Sequence, residues 1–245
     1  MFFNFLKSKP TLKELIPEGF VDIHSHILPG IDDGAKDVEE SKKIIGEMKE
    51  LGFKKIIATP HTYPGMYENT NDSILNSFNI LKGSLDLDIE INFASEYMSD
   101  RSVIDKAENK SLLCLKDNYV LIEMSFLKKY DQINDLIFKL KINGYTPILA
   151  HPERYLYFHK SLDKLNELRR RGCLLQMNII SITGYYGRKF SKISNRLLAL
   201  DYIDFVGSDI HNLNHIKQFD QKVLINSYET KKIVKIMERT SDLFA

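Results

Sequence analysis

Two histidines separated by one residue, His24 and His26, follow an apolar segment that begins at Phe20. Residues two apart in a β-strand project to the same side, so both imidazoles would face one side of a strand end. The acidic pair Asp32 and Asp33 comes shortly afterwards, in a glycine-bounded loop. Imidazole and carboxylate donors together suit a divalent metal, but a His-x-His pair also occurs by chance. The pair alone leaves both interpretations open.

The elements that would position these residues repeat along the chain. Short apolar segments rich in β-branched residues alternate with amphipathic segments of helical period, which predicts βα units and a parallel sheet. Seven strands are predicted, at residues 20–27, 55–59, 89–94, 119–122, 147–150, 174–178 and 205–207. No Pro- or Gly-rich linker interrupts the pattern, so we expect one domain at 20–245 after an N-terminal extension at 1–19. The expected fold class is α/β, a distorted (β/α)7 TIM-like barrel, with an open doubly wound sheet as the alternative.

Local signals mark several of the helices between these strands. Asp37 and Glu40 are spaced as in a capping box, and Gly52 would end the helix that they begin. Asp131 is the predicted cap of a helix that carries an apolar stripe, and the last predicted helix covers 227–239.

Metal-ligand residue types stand at the carboxyl end of six of the seven predicted strands. They are His24, His26, His61, Glu96, Glu123, His151, Asp209 and His211, and the loop after the first strand adds Asp33. Barrels of this kind carry their catalytic groups at that rim. A core strand has no packing reason to end in an ionisable residue, because burying such a group unpaired is costly. Nitrogen and oxygen donors in this number suit two or three Mn, Fe or Zn ions in a hydrolytic site.

Composition excludes other classes of function. Lys and Arg total 34 against 33 Asp and Glu, so neither nucleic acid nor an anionic membrane is favoured as a partner. No apolar run approaches the roughly 20 residues of a membrane span, and the first residues lack a signal-peptide pattern, so we expect a cytoplasmic protein. Neither Cys114 nor Cys173 has an arginine six positions later, which excludes the phosphate loop of thiol phosphatases. His159 and His215 lie away from strand ends and are not predicted to be ligands.

The strand-end motifs resemble those of the polymerase and histidinol phosphatase (PHP) superfamily. More narrowly, the chain resembles the manganese-dependent tyrosine-protein phosphatases of bacterial capsule and exopolysaccharide operons, the CpsB/YwqE type. The resemblance covers about residues 20–215. Its strings are Asp22-Ile-His-Ser-His26, Asp32-Asp-Gly34, Thr59-Pro-His61, Leu121-Ile-Glu123, His151-Pro-Glu-Arg-Tyr155 and Ser208-Asp-Ile-His-Asn212.

This resemblance implies which residues hold which ion. The first ion would take His24, His26, Glu96 and Asp209; the second would share Glu96 and add Glu123 and His151; the third would take Asp33, His61 and His211. Manganese is the implied metal. Arg154 matches the arginine that binds the phosphoryl group in this family, and Arg154, His61 and Asp33 are the expected catalytic residues. Four tyrosines are candidates to line the substrate ring: Tyr63, Tyr67, Tyr97 and Tyr155.

The implied activity is hydrolysis of phosphotyrosine on a protein, with a water activated by the ions as nucleophile. The implied substrate is the tail of a membrane-bound tyrosine autokinase, with no membrane insertion by the phosphatase itself. Two features depart from the family pattern. Thr62 and Tyr63 follow His61 where some members have basic residues, and residues 213–217 follow the final His-Asn where some members have an arginine, with Lys217 as the candidate substitute. A small-molecule phosphatase acting on a compound such as histidinol phosphate is the alternative enzyme. A non-catalytic metal-binding scaffold is the alternative of another class.

Overall fold

The structure is a computed structural model that describes residues 9–86 and 88–245, so part of the predicted N-terminal extension lies outside it. Its strands are β1 (Phe20–Ser25), β2 (Phe53–Ala58), β3 (His61–Thr62), β4 (Glu90–Phe93), β5 (Glu96–Met98), β6 (Tyr119–Glu123), β7 (Thr146–Ala150), β8 (Leu174–Asn178) and β9 (Phe205–Gly207). Its α-helices are α1 (Val38–Glu50), α2 (Asn71–Ser84), α3 (Arg101–Glu108), α4 (Ile133–Ile142), α5 (Asp163–Arg170), α6 (Arg188–Ala199), α7 (Leu213–Ile216) and α8 (Ser227–Phe244).

The strands form two sheets in which every ladder is parallel. One sheet has the order β1-β2-β4 and the other β3-β5-β6-β7-β8-β9. The predicted α/β class with a parallel sheet is therefore confirmed. Strand order follows the chain without the reversal that defines a doubly wound sheet.

Two of the predicted strands are interrupted near their carboxyl ends. Only Thr59 and Pro60 separate β2 from β3, and only two residues separate β4 from β5. Proline has no N–H to donate to a ladder, but its carbonyl accepts from the N–H of Glu96 at 3.1 Å, which keeps the two interrupted strands in register. The third strand was predicted to end at residue 94, whereas pairing resumes at Glu96, so Glu96 lies within a strand rather than after one.

Hydrogen bonds also join the first strand to the segment after the last. The N–H of His26 donates to the carbonyl of Ile210 at 2.8 Å, and the N–H of Asp209 donates to the carbonyl of His24 at 2.7 Å. These two bonds place the carboxyl ends of β1 and β9 side by side, and they involve the predicted ligands His24, His26 and Asp209 directly.

Apolar side chains cluster at the amino ends of the strands, away from these residues. Tyr119 and Phe205 begin β6 and β9, and both rings contact Phe244 of α8, with centroids 5.6 and 5.2 Å away. Phe244 is fully buried, which explains why α8 continues beyond its predicted end at 239. The amino ends of the strands therefore pack against apolar side chains, whereas the polar side chains lie at their carboxyl ends.

The capping predictions have different outcomes. The Asp37 side chain accepts from the N–H of Glu40 at 2.9 Å, which confirms this cap. The Glu40 carboxylate bonds the N–H of Lys36 instead of Asp37, so no reciprocal box forms. Asp131 was predicted to cap α4 and does not, since Gln132 holds that position without a side-chain cap bond.

Among the described helices, none combines the length and apolar composition required to cross a bilayer.

Candidate metal centre

All nine predicted ligands converge at the carboxyl ends of the strands. Six of them line a cleft of about 290 Å³. The other three, His24, His26 and Glu96, are fully buried and contact the lining side chains. The lining comprises Asp33, His61, Glu123, Phe126, His151, Arg154, Tyr186, Asp209, His211, Asn212 and His215.

Glu96 lies at the middle of the cluster. Its Oε2 is 3.2 Å from His24 Nε2, 3.5 Å from His26 Nε2 and 3.1 Å from His61 Nδ1. Its Oε1 is 3.0 Å from His151 Nε2. One carboxylate therefore faces four imidazoles, which is the position expected of a ligand shared between ions.

Hydrogen bonds at Nδ1 orient the imidazoles of His24 and His26. His24 Nδ1 lies 2.8 Å from Gln176 Oε1, and His26 Nδ1 lies 2.8 Å from Asp32 Oδ2. Both partners are acceptors, so each Nδ1 carries the proton and each Nε2 of a neutral ring carries a lone pair. The two Nε2 atoms face each other at 3.3 Å. Burial alone would lower the pKa of both imidazoles, but the carboxylates around them raise it, so a proton or a metal cation is stabilised between these groups.

Asp209 completes this first group. Its Oδ1 is 3.3 Å from His24 Nε2 and 3.4 Å from His26 Nε2, while its Oδ2 accepts from Arg154 Nη1 at 3.0 Å and from the side-chain amide of Asn178. Asp209 has a φ of 54°, and His151 has a φ of 36°. Non-glycine residues rarely adopt this left-handed backbone, although Lys110, Asp117 and Asp201 also do so outside the cleft, so the conformation fits a functional position without identifying one.

The remaining predicted ligands lie closer to the mouth of the cleft. Asp33 Oδ1 is 3.4 Å from His61 Nε2 and 3.5 Å from His211 Nε2, and the Asp33 side chain is half exposed. Glu123 Oε1 is 3.1 Å from His61 Nδ1, so His61 lies between the carboxylates of Asp33 and Glu123. Four sets of donor atoms are close enough to hold an ion: His26, Asp33, His61 and His211; His24, His151 and Asp209; His24, His26 and Glu96; and His61, Glu96 and Glu123.

The charge state of the cluster also fits cations. Within the described residues, Glu96 Oε2 and His61 Nδ1 are buried without a hydrogen-bond partner. Burial alone would raise the pKa of Glu96, but the neighbouring His24 and His61 hold it well below its usual range. Burial and His26 oppose protonation of His61, yet Glu96 and Glu123 raise its pKa to about 10. Positive charge is stabilised here even in the protein alone, so the donor set suits divalent ions.

Arg154 lies across the cleft between two aromatic rings. Its guanidinium is 4.4 Å from the ring centroid of Phe126 and 4.3 Å from that of Tyr186. Asp209 fixes one edge of the guanidinium, and the rings hold its plane. Sequence reasoning missed both aromatic residues, because nothing local marks either ring as a neighbour of Arg154.

The expectation about tyrosines is wrong for Tyr97 and Tyr155. Both are buried, and their hydroxyls accept hydrogen bonds from backbone N–H groups at 2.8 and 2.9 Å, so neither can contact a substrate. Tyr67 does lie at the site, stacked on the ring of His61 with centroids 5.4 Å apart. Tyr63 contacts Tyr67 through the backbone and is not part of the cleft lining.

Two histidines not predicted to be ligands have other partners. His215 Nδ1 lies 3.0 Å from the carbonyl oxygen of Asp209 and 3.2 Å from the backbone nitrogen of His211, so it donates to the first or accepts from the second. Burial lowers the His215 pKa to about 4, so the ring is neutral at neutral pH. His159 Nε2 donates to the carbonyl of Glu153 at 2.7 Å, away from the cleft.

The two departures from the family pattern are also placed. Thr62 is buried, and its hydroxyl bonds that of Ser95 at 2.6 Å. Lys217 Nζ donates to Asn214 Oδ1 at 3.1 Å and does not line the cleft.

Comparison with known proteins identifies the family. The family model described as capsular polysaccharide synthesis, CpsB/CapC, matches residues 20–235. The chain belongs to the CpsB/CapC family. The tyrosine-protein phosphatase CpsB of Streptococcus pneumoniae is 32% identical over 225 residues, which cover 86% of this chain and 92% of that protein.

Solved structures agree with this membership. The structure of metal-dependent tyrosine phosphatases reported for YwqE from Bacillus subtilis and CpsB from Streptococcus pneumoniae superposes with a TM-score of 0.76 at 30% identity, covering 89% of this chain and 86% of that chain. A histidinol phosphate phosphatase from Lactococcus lactis gives a TM-score of 0.55 at 14% identity, covering 90% and 94% of the two chains, which is a likeness of fold alone.

The loop that carries Asp32 and Asp33 gives a testable prediction. A Cβ at Gly34 would lie 2.0 Å from the carbonyl oxygen of His26, so Gly34→Ala must displace the backbone. We expect a loss of about 1–3 kcal/mol in the free energy of unfolding, measured by urea denaturation. Gly46→Ala in α1 is the control, because its Cβ would meet nothing within 4 Å. It should stabilise by about 0.5–1 kcal/mol, and equal effects of the two changes would contradict this account.

Proposed function

We propose that this protein is a metal-dependent protein-tyrosine phosphatase, a phosphoric monoester hydrolase. One observation carries the proposal: nine imidazole and carboxylate side chains, Glu96 among them, converge at the cleft where Arg154 presents its guanidinium. Metal donors beside a fixed arginine form a site for a phosphoryl group. The naming of the relatives as tyrosine phosphatases supports the choice of substrate.

The proposed ion sites are those that the family resemblance implies, and the donor sets of the structure overlap with them only in part, since His151 is grouped with His24 and Asp209, and His61 with Glu96 and Glu123. His24, His26, Glu96 and Asp209 would hold the first ion; Glu96, Glu123 and His151 the second; Asp33, His61 and His211 the third. Manganese is proposed as the resident metal, with iron or zinc as alternatives that these nitrogen and oxygen donors also accept. Residues 20–245 are proposed to form one domain, a distorted seven-stranded barrel in which the bonds between β1 and the segment after β9 complete the ring.

The chain's own residues have distinct tasks in this mechanism. Arg154 would bind two phosphoryl oxygens through its planar fork, held in place by Phe126, Tyr186 and Asp209. Divalent ions, when bound, neutralise phosphoryl charge and activate water at neutral pH. Tyr67, stacked on His61, would contact the substrate ring at the mouth.

The proposed protein substrate is the phosphorylated tail of a membrane-bound tyrosine autokinase that acts in polysaccharide export. The proposed location of this reaction is the cytoplasm. A small-molecule phosphatase and a non-catalytic scaffold are the alternatives. The histidinol phosphate phosphatase shares only the fold, so it does not favour the first of these. The half-exposed Asp33 at the mouth favours a substrate presented on a protein surface over a fully enclosed small molecule.

A direct test compares substrates on protein reconstituted with Mn, Fe or Zn. We expect hydrolysis of a phosphotyrosyl peptide with kcat/KM at least about tenfold above that for histidinol phosphate, and loss of turnover after chelation with EDTA. Metal analysis of the same samples should show two or three ions per chain. Preference for histidinol phosphate would support the small-molecule alternative, and chelator-insensitive inactivity on both substrates would support the scaffold.

A further inference from the structure

A second concave surface lies beside the cleft and is strongly basic. A pocket of about 580 Å³ is formed between α6 and the segment before α8, and it contains no metal-ligand residue type. Four cationic side chains line it, together with smaller polar groups. The residues that bear on its chemistry are Lys9, Arg188, Lys192, Arg196, Ser191 and Asn195.

The charge of this pocket is not compensated by nearby carboxylates. Helix α6 contains Arg188, Lys189, Lys192 and Arg196 and no Asp or Glu, although the whole chain is almost neutral. The four cationic side chains of α6 are exposed. Across residues 9–86 and 88–245, no carboxylate lies within ion-pair distance of any of them. Residues 1–8 include no acidic residue either. Clustered like charges repel one another, so an anionic partner gains energy here.

One short loop connects this basic pocket to the candidate metal centre. Tyr186 lines the cleft and Arg188 lines the pocket. Consecutive Cα atoms are about 3.8 Å apart, so the two backbones lie within roughly 8 Å of each other. An extended peptide spans about 3.3–3.6 Å per residue, so two or three residues cover this backbone step, and further residues would run along α6, which rises about 1.5 Å per residue.

We infer that this basic pocket binds acidic side chains of the protein substrate on one flank of the phosphotyrosine. This inference rests on the proposed function and assigns a sequence preference to it. Asp or Glu fits because its carboxylate matches both the ammonium and the guanidinium groups. A concave pocket between a helix and a loop suits a peptide better than a flat bilayer. Electrostatic recognition of this kind acts mainly through KM and the association rate, and it weakens with salt.

The test uses three phosphotyrosyl peptides of equal length on the metal-loaded protein. One carries Asp residues two to five positions before the phosphotyrosine, one carries them after it, and the third carries Asn at both flanks. We expect one acidic peptide to exceed the Asn peptide by about three- to tenfold in kcat/KM at low salt. High salt, or the double change Arg188→Glu with Lys192→Glu, should remove this difference.

Two controls separate the explanations. The double change Lys43→Glu with Lys141→Glu alters net charge equally on exposed helix positions elsewhere and should keep the preference. Turnover of p-nitrophenyl phosphate should be the same in all variants, because that substrate is too small to reach the pocket.

Three results would overturn the inference. The first is equal kcat/KM for all three peptides, and the second is a preference that survives in the Arg188/Lys192 variant. The third is binding of phosphatidylglycerol vesicles that this variant loses while no peptide preference exists, which would assign the surface to a membrane. Absence of hydrolysis of every phosphotyrosyl peptide would instead refute the proposed function itself.

Discussion

Glu96→Gln should reduce kcat/KM at least about 10³-fold, equivalent to about 4 kcal/mol of transition-state stabilisation. The Glu96 carboxylate faces four imidazoles at 3.0–3.5 Å. Glutamine preserves the volume but removes the charge and one of the two oxygens that a shared ligand needs. We therefore expect fewer bound ions per chain by elemental analysis, and a smaller rise in melting temperature when metal is added.

Glu90→Gln is the matched control for this change. Glu90 pairs with Lys55 at 3.1 Å, and its side chain is largely exposed, so its loss should leave both metal content and turnover within about twofold of wild type. A Glu96→Gln protein that retains the full complement of ions and most of its activity would show that Glu96 is not shared between ions.

Arg154→Lys should lower kcat/KM for a phosphotyrosyl peptide about 10²-fold while leaving metal content unchanged. The lysine keeps the charge but loses the planar fork that Phe126 and Tyr186 hold at 4.3–4.4 Å from their ring centroids. The measurement is steady-state kinetics beside metal analysis, because a role in phosphate binding affects only the kinetics.

Arg169→Lys supplies the comparison for Arg154. Arg169 also pairs with a carboxylate and contacts a tyrosine ring, but it does so at Asp204 and Tyr202, outside the cleft. Its replacement should change turnover less than about twofold. If Arg154→Lys loses metal together with activity, the arginine acts by holding Asp209 rather than by binding the phosphoryl group.

The positions of the candidate ligands could be predicted because the signal is local. A short apolar segment predicts each strand, and the carboxyl ends of parallel strands lie at the same edge of the sheet. A histidine or carboxylate directly after such a segment, as His151 is after β7, is placed by the strand itself. The family resemblance then supplied the grouping of ligands around ions, which spacing alone left open.

The supporting groups could not be predicted, since their roles depend on distant parts of the chain. Gln176 orients His24 across 152 positions of sequence, and nothing near Gln176 distinguishes it from any polar residue in a strand. Asp32 was visible as half of an acidic pair, yet only the fold shows that it faces His26 while Asp33 faces the mouth. The Asp131 cap was wrong because α4 begins at Ile133, so Gln132 and not Asp131 occupies the N-cap position.

The left-handed backbone at His151 and Asp209 sets a limit on how robust this protein can become. Each such residue costs about 1–3 kcal/mol, a sizeable share of the few kcal/mol by which a typical domain exceeds its unfolded state. Glycine or asparagine would tolerate that conformation better, but neither supplies the imidazole or the carboxylate that the proposed ion sites use. Ligation of ions by these two residues, as proposed above, would offset this conformational cost, so the ion-loaded protein is expected to be more stable than the protein without ions.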